Sequence, residues 1–169
     1  MSKGTSLVDT VGMKGKWSLE HIRGGKVIAS MPVLFNGITT VGKNSLLDIM
    51  FRNQSQLANW YFGLVDNAGF TAFADGDSMS SHSGWAESVA YSDSNRVQWN
   101  PDAATSSSIS NATPATVNIN ATATLKGGFI VSNNTKGGTS GILWATVAFA
   151  SNVSVTNGDQ LKLTYTVNA

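Results

Sequence analysis

The 169-residue chain has no cysteine, three prolines and only 12% charged residues, about half of the roughly 25% usual in soluble domains. Without cysteine, neither disulfides nor a thiolate zinc site can hold the fold, and a small secreted disulfide scaffold is excluded. The formal net charge of +1 leaves little of the counterion-release drive behind nonspecific nucleic-acid binding, so nucleic acid is not an expected partner. Long apolar runs are missing too. Stretches such as Leu143 to Ala145 and Val147 to Ala150 fall far short of a membrane span of about 20 residues, so no membrane partner is expected and the chain reads as soluble. Lys3, Lys14 and Lys16 stand near the N-terminus, but glycine interrupts every apolar stretch there, and no export signal is expected.

The place of charge is taken by 21 Ser, 16 Thr and 15 Asn. Thr suits a pleated sheet, and Ser and Asn bond locally to the backbone in turns, so strands and turns are favoured over long helices. Five Trp within a 9% aromatic share suffice to fill a core. The length fits about one domain. The expected architecture is therefore all-β: one antiparallel sandwich or jelly roll over residues 1–169, with one short helix at about 44–52 and an N-terminal arm at 1–15 that is flexible unless a partner orders it.

Along the chain, Gly24-Gly25 between HisIleArg and LysValIle is the two-residue signature of a tight hairpin, over about 17–31. Leu46, Leu47, Met50 and Phe51 repeat with helical spacing. Residues 59–66 (NWYFGLVD) are apolar on both faces, which suits a central strand covered on both sides. The turn-rich stretch 67–84 is long enough to be either functional or ordered by a neighbour. Val117, Ile119, Ala121, Ala123 and Leu125 alternate with polar residues, predicting one half-buried strand. Further strands are expected at 129–131, 142–150 and 161–167, with no repeat of fixed period. Charge is polarised: residues 1–52 carry seven basic and three acidic groups, residues 53–100 one basic and five acidic.

Several frames for chemistry are present but incomplete. Gly37 to Asn44 matches the Gly-x4-Gly-Lys frame of a phosphate loop, with Asp66 after an apolar strand as a magnesium ligand. However, Asn44 stands where a hydroxyl should be, the four residues Ile38 to Val41 are β-branched, and the motif belongs to parallel sheets layered with helices. Asp75, Asp77, His82 and Glu87 could be drawn into a metal site, yet Met79 occupies the third ligand position of the calcium-loop frame. His21 and His82 come without a Gly-x-Ser-x-Gly elbow. The carboxylate pairs Asp75/Asp77 and Asp66/Glu87 are candidates for glycoside hydrolysis by residue type alone. No enzyme activity, metal or cofactor is expected. Trp60, Trp85 and Trp144 sit in strongly apolar segments and read as core, leaving Trp17 and Trp99 as the surface candidates.

The order of features Asn44–Ile49, Asn59–Asp66, Asp77–Glu87, Tyr91–Arg96, Gly127–Leu143 and Asn157–Val167 resembles small virion proteins of tailed bacteriophages. These are head decoration, cement or fibre-like proteins, and the likeness covers roughly residues 44–169. The resemblance implies a non-enzymatic protein made in the host cytoplasm that adds to the capsid exterior. Such proteins are commonly trimers that tie neighbouring major capsid subunits together. On that reading Lys14, Lys16, Trp17, Arg23 and Lys26 are expected to grip an acidic capsid surface. The alternative is a tail or head fibre module that binds a host receptor or carbohydrate, with Tyr91 and Trp99 as its stacking aromatics.

Overall fold

A computed structural model of the protein describes residues 12–169. Among these residues, ten strands form two antiparallel five-stranded sheets packed as a sandwich, with one helix between the second and third strands. The first sheet opens with the hairpin β1 (Lys14–Arg23) and β2 (Lys26–Asn36). Gly24 and Gly25 join them at φ of 57° and 75°, and positive φ at both central residues is what a type I′ turn requires. Then α1 (Thr40–Phe51) leads to β3 (Trp60–Asp66), β4 (Glu87–Ser88) and β5 (Val97–Trp99) of the second sheet. The chain returns to the first sheet as β6 (Ser108–Ser110) and β7 (Ala115–Asn118). It crosses again for β8 (Ala123–Val131) and β9 (Leu143–Val155), and ends in the first sheet as β10 (Gln160–Asn168). The order is β2-β1-β10 with β6 and β7 on the far edge of β10, and β9-β8-β3 with β4 and β5 on the far edge of β3.

Three expectations need correction. The arm was expected to reach residue 15, but β1 begins at Lys14, because Lys14 and Gly15 pair with Asn168 and Val167 of β10; residues 1–11 of that expected arm lie outside the described residues. The helix starts at Thr40 and not near 44. Thr39 caps it, accepting from the Gly42 N–H at 3.1 Å, and its hydroxyl donates to the Leu143 carbonyl. The alternation at 117–125 is not one strand: β7 and β8 lie in opposite sheets, and residues 119–122 carry the chain across. Val117, Ile119 and Leu125 are nevertheless all buried, since a chain stepping between two sheets still turns the same side chains toward the core they share. Residues 129–131 continue β8.

The core between the sheets centres on Trp17, whose ring lies 5.2 Å from that of Phe62, edge to face, and 5.6 Å from that of Tyr165. Edge-to-face and tilted contacts of this kind add about 0.5–1.5 kcal/mol to area burial. Gly128 sits beneath the Trp17 ring, where a Cβ would approach it to 2.8 Å. The two-sided apolar character of β3 is met as the sequence expects: Phe62 and Leu64 enter this core, and Val65 enters a second cluster on the opposite face. That second cluster is built by the long loop 67–84 itself. Phe70, Phe73 and Met79 fold with Trp85 onto Val65, Phe129 and Val131, so the protein's own sheet orders the loop. The Trp85 indole N–H donates to Asp77 Oδ2 at 2.9 Å, and the Ala74 N–H donates to the same oxygen.

One edge of β10 is covered by two strands with a break between them: β7 pairs residues 160–163 and β6 pairs 166–168. The buried side chain of Asn111 fills the break. Its Oδ1 accepts from the Tyr165 N–H at 2.8 Å and from Trp99 Nε1 at 3.0 Å, and its Nδ2 donates to the carbonyls of Leu163 and Thr113. A buried backbone amide or carbonyl left unpaired costs about 1–3 kcal/mol. Asn111→Ala is therefore expected to lower unfolding stability by about 3 kcal/mol, read as a lower urea midpoint at unchanged slope. A variant with wild-type stability would show that this amide is dispensable.

Candidate docking surface

The outer face of the first sheet follows from strand alternation. With Trp17 and Leu19 turned inward, Lys14, Lys16, Ser18 and Glu20 of β1 point outward, opposite Asn168, Thr166, Thr164 and Lys162 of β10. Across the hairpin, Lys16 faces Phe35, with its Nζ 5.8 Å from the ring centroid. Phe35 is 67% exposed, and Val27, Ile28 and Val33 of the same strand are each at least half exposed. Among the described residues, Lys14, Lys16 and Lys26 have no acidic group within ion-pair distance. The result is an apolar edge strand flanked by unpaired cations.

Of the five residues expected to grip a partner, three occupy this surface: Lys14, Lys16 and Lys26 are solvent-accessible on or beside the hairpin. Trp17 is not among them. It is 1% exposed, because the hairpin turns it toward the core. Arg23 lies at the tip but is committed within the protein. Its Nε and Nη2 donate to Asp159 Oδ1 and Oδ2, both at 2.7 Å, in the planar bidentate geometry that guanidinium and carboxylate share. Asp159 is buried and also receives the Thr156 N–H, with His21 Nε2 2.8 Å from its Oδ2. This cluster ties the end of β1 to the β9–β10 turn and so fixes how the hairpin leaves the sandwich.

The apolar residues of β2 were the missed part of the surface. Their signal in the sequence was Pro32, since a strand residue without an N–H is confined to an edge or a bulge. Here it does both: Pro32 and Val33 together oppose Ser18, and Ile28 forms a second bulge between the pairs His21–Ala29 and Ile22–Val27.

The other candidate residues serve the fold. Gly42 and Lys43 lie in the first turn of α1, where a Cβ on Gly42 would stand 2.8 Å from the Trp144 carbonyl, so this glycine permits helix and strand to touch. The Thr39, Thr40 and Gly42 amides are bonded to the Trp144 carbonyl, the Asp75 carbonyl and the Thr39 hydroxyl, leaving them no cradle for phosphate. Glu87 forms a bidentate pair with the buried Arg96 at 2.9 and 2.7 Å, and Arg96 also donates to the carbonyls of Asn133 and Gly138. His82 stacks on Trp85 with ring centroids 3.9 Å apart. Asp77 and His82 thus both engage Trp85 and Glu87 engages Arg96, while Asp75 is exposed, and no metal-sized group of acids and imidazoles occurs among the described residues. Trp99 and Tyr91, the expected stacking aromatics, are both buried, Trp99 between Tyr165 and Asn111, and Tyr91 beneath the Lys136 ammonium. Burial raises the Tyr91 and Tyr165 hydroxyls above the ordinary phenol range, with the charge of Glu87 adding to the effect at Tyr91.

No protein-family model and no curated protein sequence matches this chain.

The Asp159 cluster gives a pH signature. The Arg23 hydrogen bonds hold the Asp159 carboxyl well below the usual carboxylate range, against the opposing effect of burial, with help from the Thr156 N–H and His21. A carboxyl lowered on folding contributes stability that is complete above its unfolded value, near pH 4, and is lost as pH falls through its folded value. Asp159→Asn is expected to lower the thermal midpoint most at pH 7, with the gap to wild type narrowing steadily below about pH 4. A gap that stays constant from pH 7 to pH 2 would remove Asp159 as its source.

Proposed function

We propose that the protein is a structural, non-enzymatic virion component that binds the outside of a phage head and stabilises it by bridging major capsid subunits. The observation that carries this reading is the β1–β2 hairpin. Its β2 is an 11-residue edge strand with four large apolar side chains exposed, beside three cations that have no acidic partner among the described residues. Exposed apolar patches rimmed by polar groups mark protein contacts, and the sequence resemblance supplies the kind of contact. Elsewhere the buried charges Asp159, Glu87 and Arg96 are used up in internal pairs.

The mechanism is mass action. A ligand that binds the assembled shell and not its separated subunits stabilises the shell by RT ln(1 + [L]/Kd) per site. Few charges make the remaining contacts weakly sensitive to salt, while Lys14, Lys16 and Lys26 orient approach to an acidic face. Arg23 is kept out of that role by Asp159. Copies acting together gain avidity through effective concentration when each can reach its own site.

Two experiments test the reading. Immunogold labelling of intact virions is expected to place the protein over the head; label confined to the tail tip would favour the fibre reading, and failure to label with a working antibody would overturn a virion role. Replacing Lys14, Lys16 and Lys26 together by Glu is expected to weaken co-sedimentation with purified heads at least about tenfold, with the thermal midpoint unchanged. Unchanged occupancy of heads would remove the hairpin as the gripping face.

A further inference from the structure

A second apolar surface lies on α1, which follows β2. Leu47, Met50 and Phe51 are 52%, 66% and 78% exposed and form a ridge along the C-terminal half of the helix. Beside the ridge, a cleft of about 430 Å³ opens between α1 and strands of both sheets, a size within the roughly 300–1,000 Å³ of small-molecule sites. Leu46 and Met50 belong to its helix wall, and Trp60, Trp99, Ile109 and Trp144 to its sheet wall. The Trp60 and Trp144 rings pack 5.7 Å apart, and the Trp144 indole N–H donates to the Tyr165 hydroxyl at 3.1 Å. The Trp99 indole N–H is held by Asn111 Oδ1 and the Tyr165 carbonyl. The sheet wall is therefore set before any ligand arrives, which keeps the ordering cost of binding small.

None of the described residues that line the cleft carries a charge. Charge enters from one side only. Lys43 precedes Leu46 and Met50 by three and seven residues, the spacing that puts all three on one face of a helix. It is exposed and has no acidic group within ion-pair distance among the described residues. Asp48 lies on the other flank of α1, where it lines a separate groove with Val41 and Asn44, and it is paired with Arg52 at 3.1 Å. An uncharged cleft with one free ammonium on its helix face is complementary to a molecule that has an apolar chain and a single negative end.

We propose that the cleft binds a single-chain anionic amphiphile, a fatty carboxylate, with its chain between α1 and the Trp60–Trp144 wall and its carboxylate at the Lys43 ammonium. The apolar contact supplies affinity in proportion to chain length, and Lys43 favours the carboxylate over the neutral alcohol of the same chain. The site includes no residue of the hairpin's exposed surface, so the inference goes beyond the capsid reading and does not rest on it.

The test is isothermal titration of the full-length protein with decanoate and with decanol, both below their limits of micelle formation or solubility. Wild-type protein is expected to bind one decanoate with a dissociation constant on the order of 10–100 µM, with a blue shift of tryptophan emission as Trp60 and Trp144 lose water. Shortening the chain to octanoate is expected to weaken binding roughly tenfold. Lys43→Glu is expected to weaken decanoate about fivefold or more and to leave decanol unchanged. Met50→Asp should weaken both ligands without moving the thermal midpoint, since Met50 is exposed at the mouth of the cleft. Absence of saturable decanoate binding up to about 1 mM overturns the proposal, as does a Lys43→Glu protein that binds decanoate like wild type. If decanoate does not bind and Met50→Asp instead weakens attachment to heads, the cleft belongs to a capsid side chain and the proposal falls. Failure of the hairpin lysine variants to affect attachment would leave the decanoate result untouched.

Discussion

Strand β10 needs hydrogen-bond partners on both edges along its whole length, and no single strand supplies them on the side away from β1. Asn111 resolves this with one carboxamide, which presents an acceptor and two donors in the geometry of a peptide group and so replaces the missing piece of ladder between β7 and β6. Much else hangs on that strand. The register of β10 sets that of β1 over nine residue pairs and thereby the inward turn of Trp17, which meets Phe62 across the sandwich. The same carboxamide anchors the indole of Trp99, so the break in one sheet also pins the edge of the other. A hydroxyl has a single donor and could not serve the carbonyls of both Leu163 and Thr113.

The economy of charge has a structural counterpart. With few ionisable groups, two buried charges are densely satisfied: Arg96 meets Glu87 bidentately and two carbonyls, and Asp159 meets Arg23, Thr156 and the His21 ring. Breaking such a pair leaves an uncompensated charge, so these contacts specify geometry more than they add net stability. What they specify is the position of loops and of the hairpin, because both clusters lie where segments distant in sequence meet. Lys14 and Lys16, without an acidic partner among the described residues, stand on the outer face of the first sheet, with Lys26 beside the hairpin turn.

Local patterns made much of this legible. The Gly24-Gly25 turn, the two-faced apolarity of residues 59–66 and the alternating C-terminal strands each follow from steric or periodic rules that act within a few residues. Errors arose where a partner distant in sequence decides the outcome. Lys14 and Gly15 are strand because Asn168 and Val167 lie beside them, and α1 starts early because Leu143 and Trp144 bond to Thr39. Trp17 was assigned to the surface since alternation shows that a face is apolar and not which way the strand is turned. Trp99 fails in the same manner, its burial depending on Tyr165 and Asn111. Of the candidate gripping surface, the lysines were readable as charge; the exposed apolar residues of β2 were hidden, because Val33-Leu34-Phe35 in a sequence looks like core.

The same strand raises the question of why an exposed apolar edge does not simply aggregate. Two bulges and Pro32 interrupt β2, so its free edge offers no long regular row of amides for another strand to extend. This protection is specific to backbone pairing and leaves the side chains available: Phe35 beside Lys16, and Val33 in the bulge, stand clear of the sheet whether or not the edge is regular. A surface built this way resists indiscriminate strand addition while keeping apolar area for a partner of matching shape. The helix ridge achieves a comparable result by another route, since the hydrogen-bonding groups of a helix are satisfied internally and only side chains are presented. Both exposed apolar surfaces therefore select for side-chain complementarity over backbone pairing, which is the selectivity that the proposed attachment to a capsid would require.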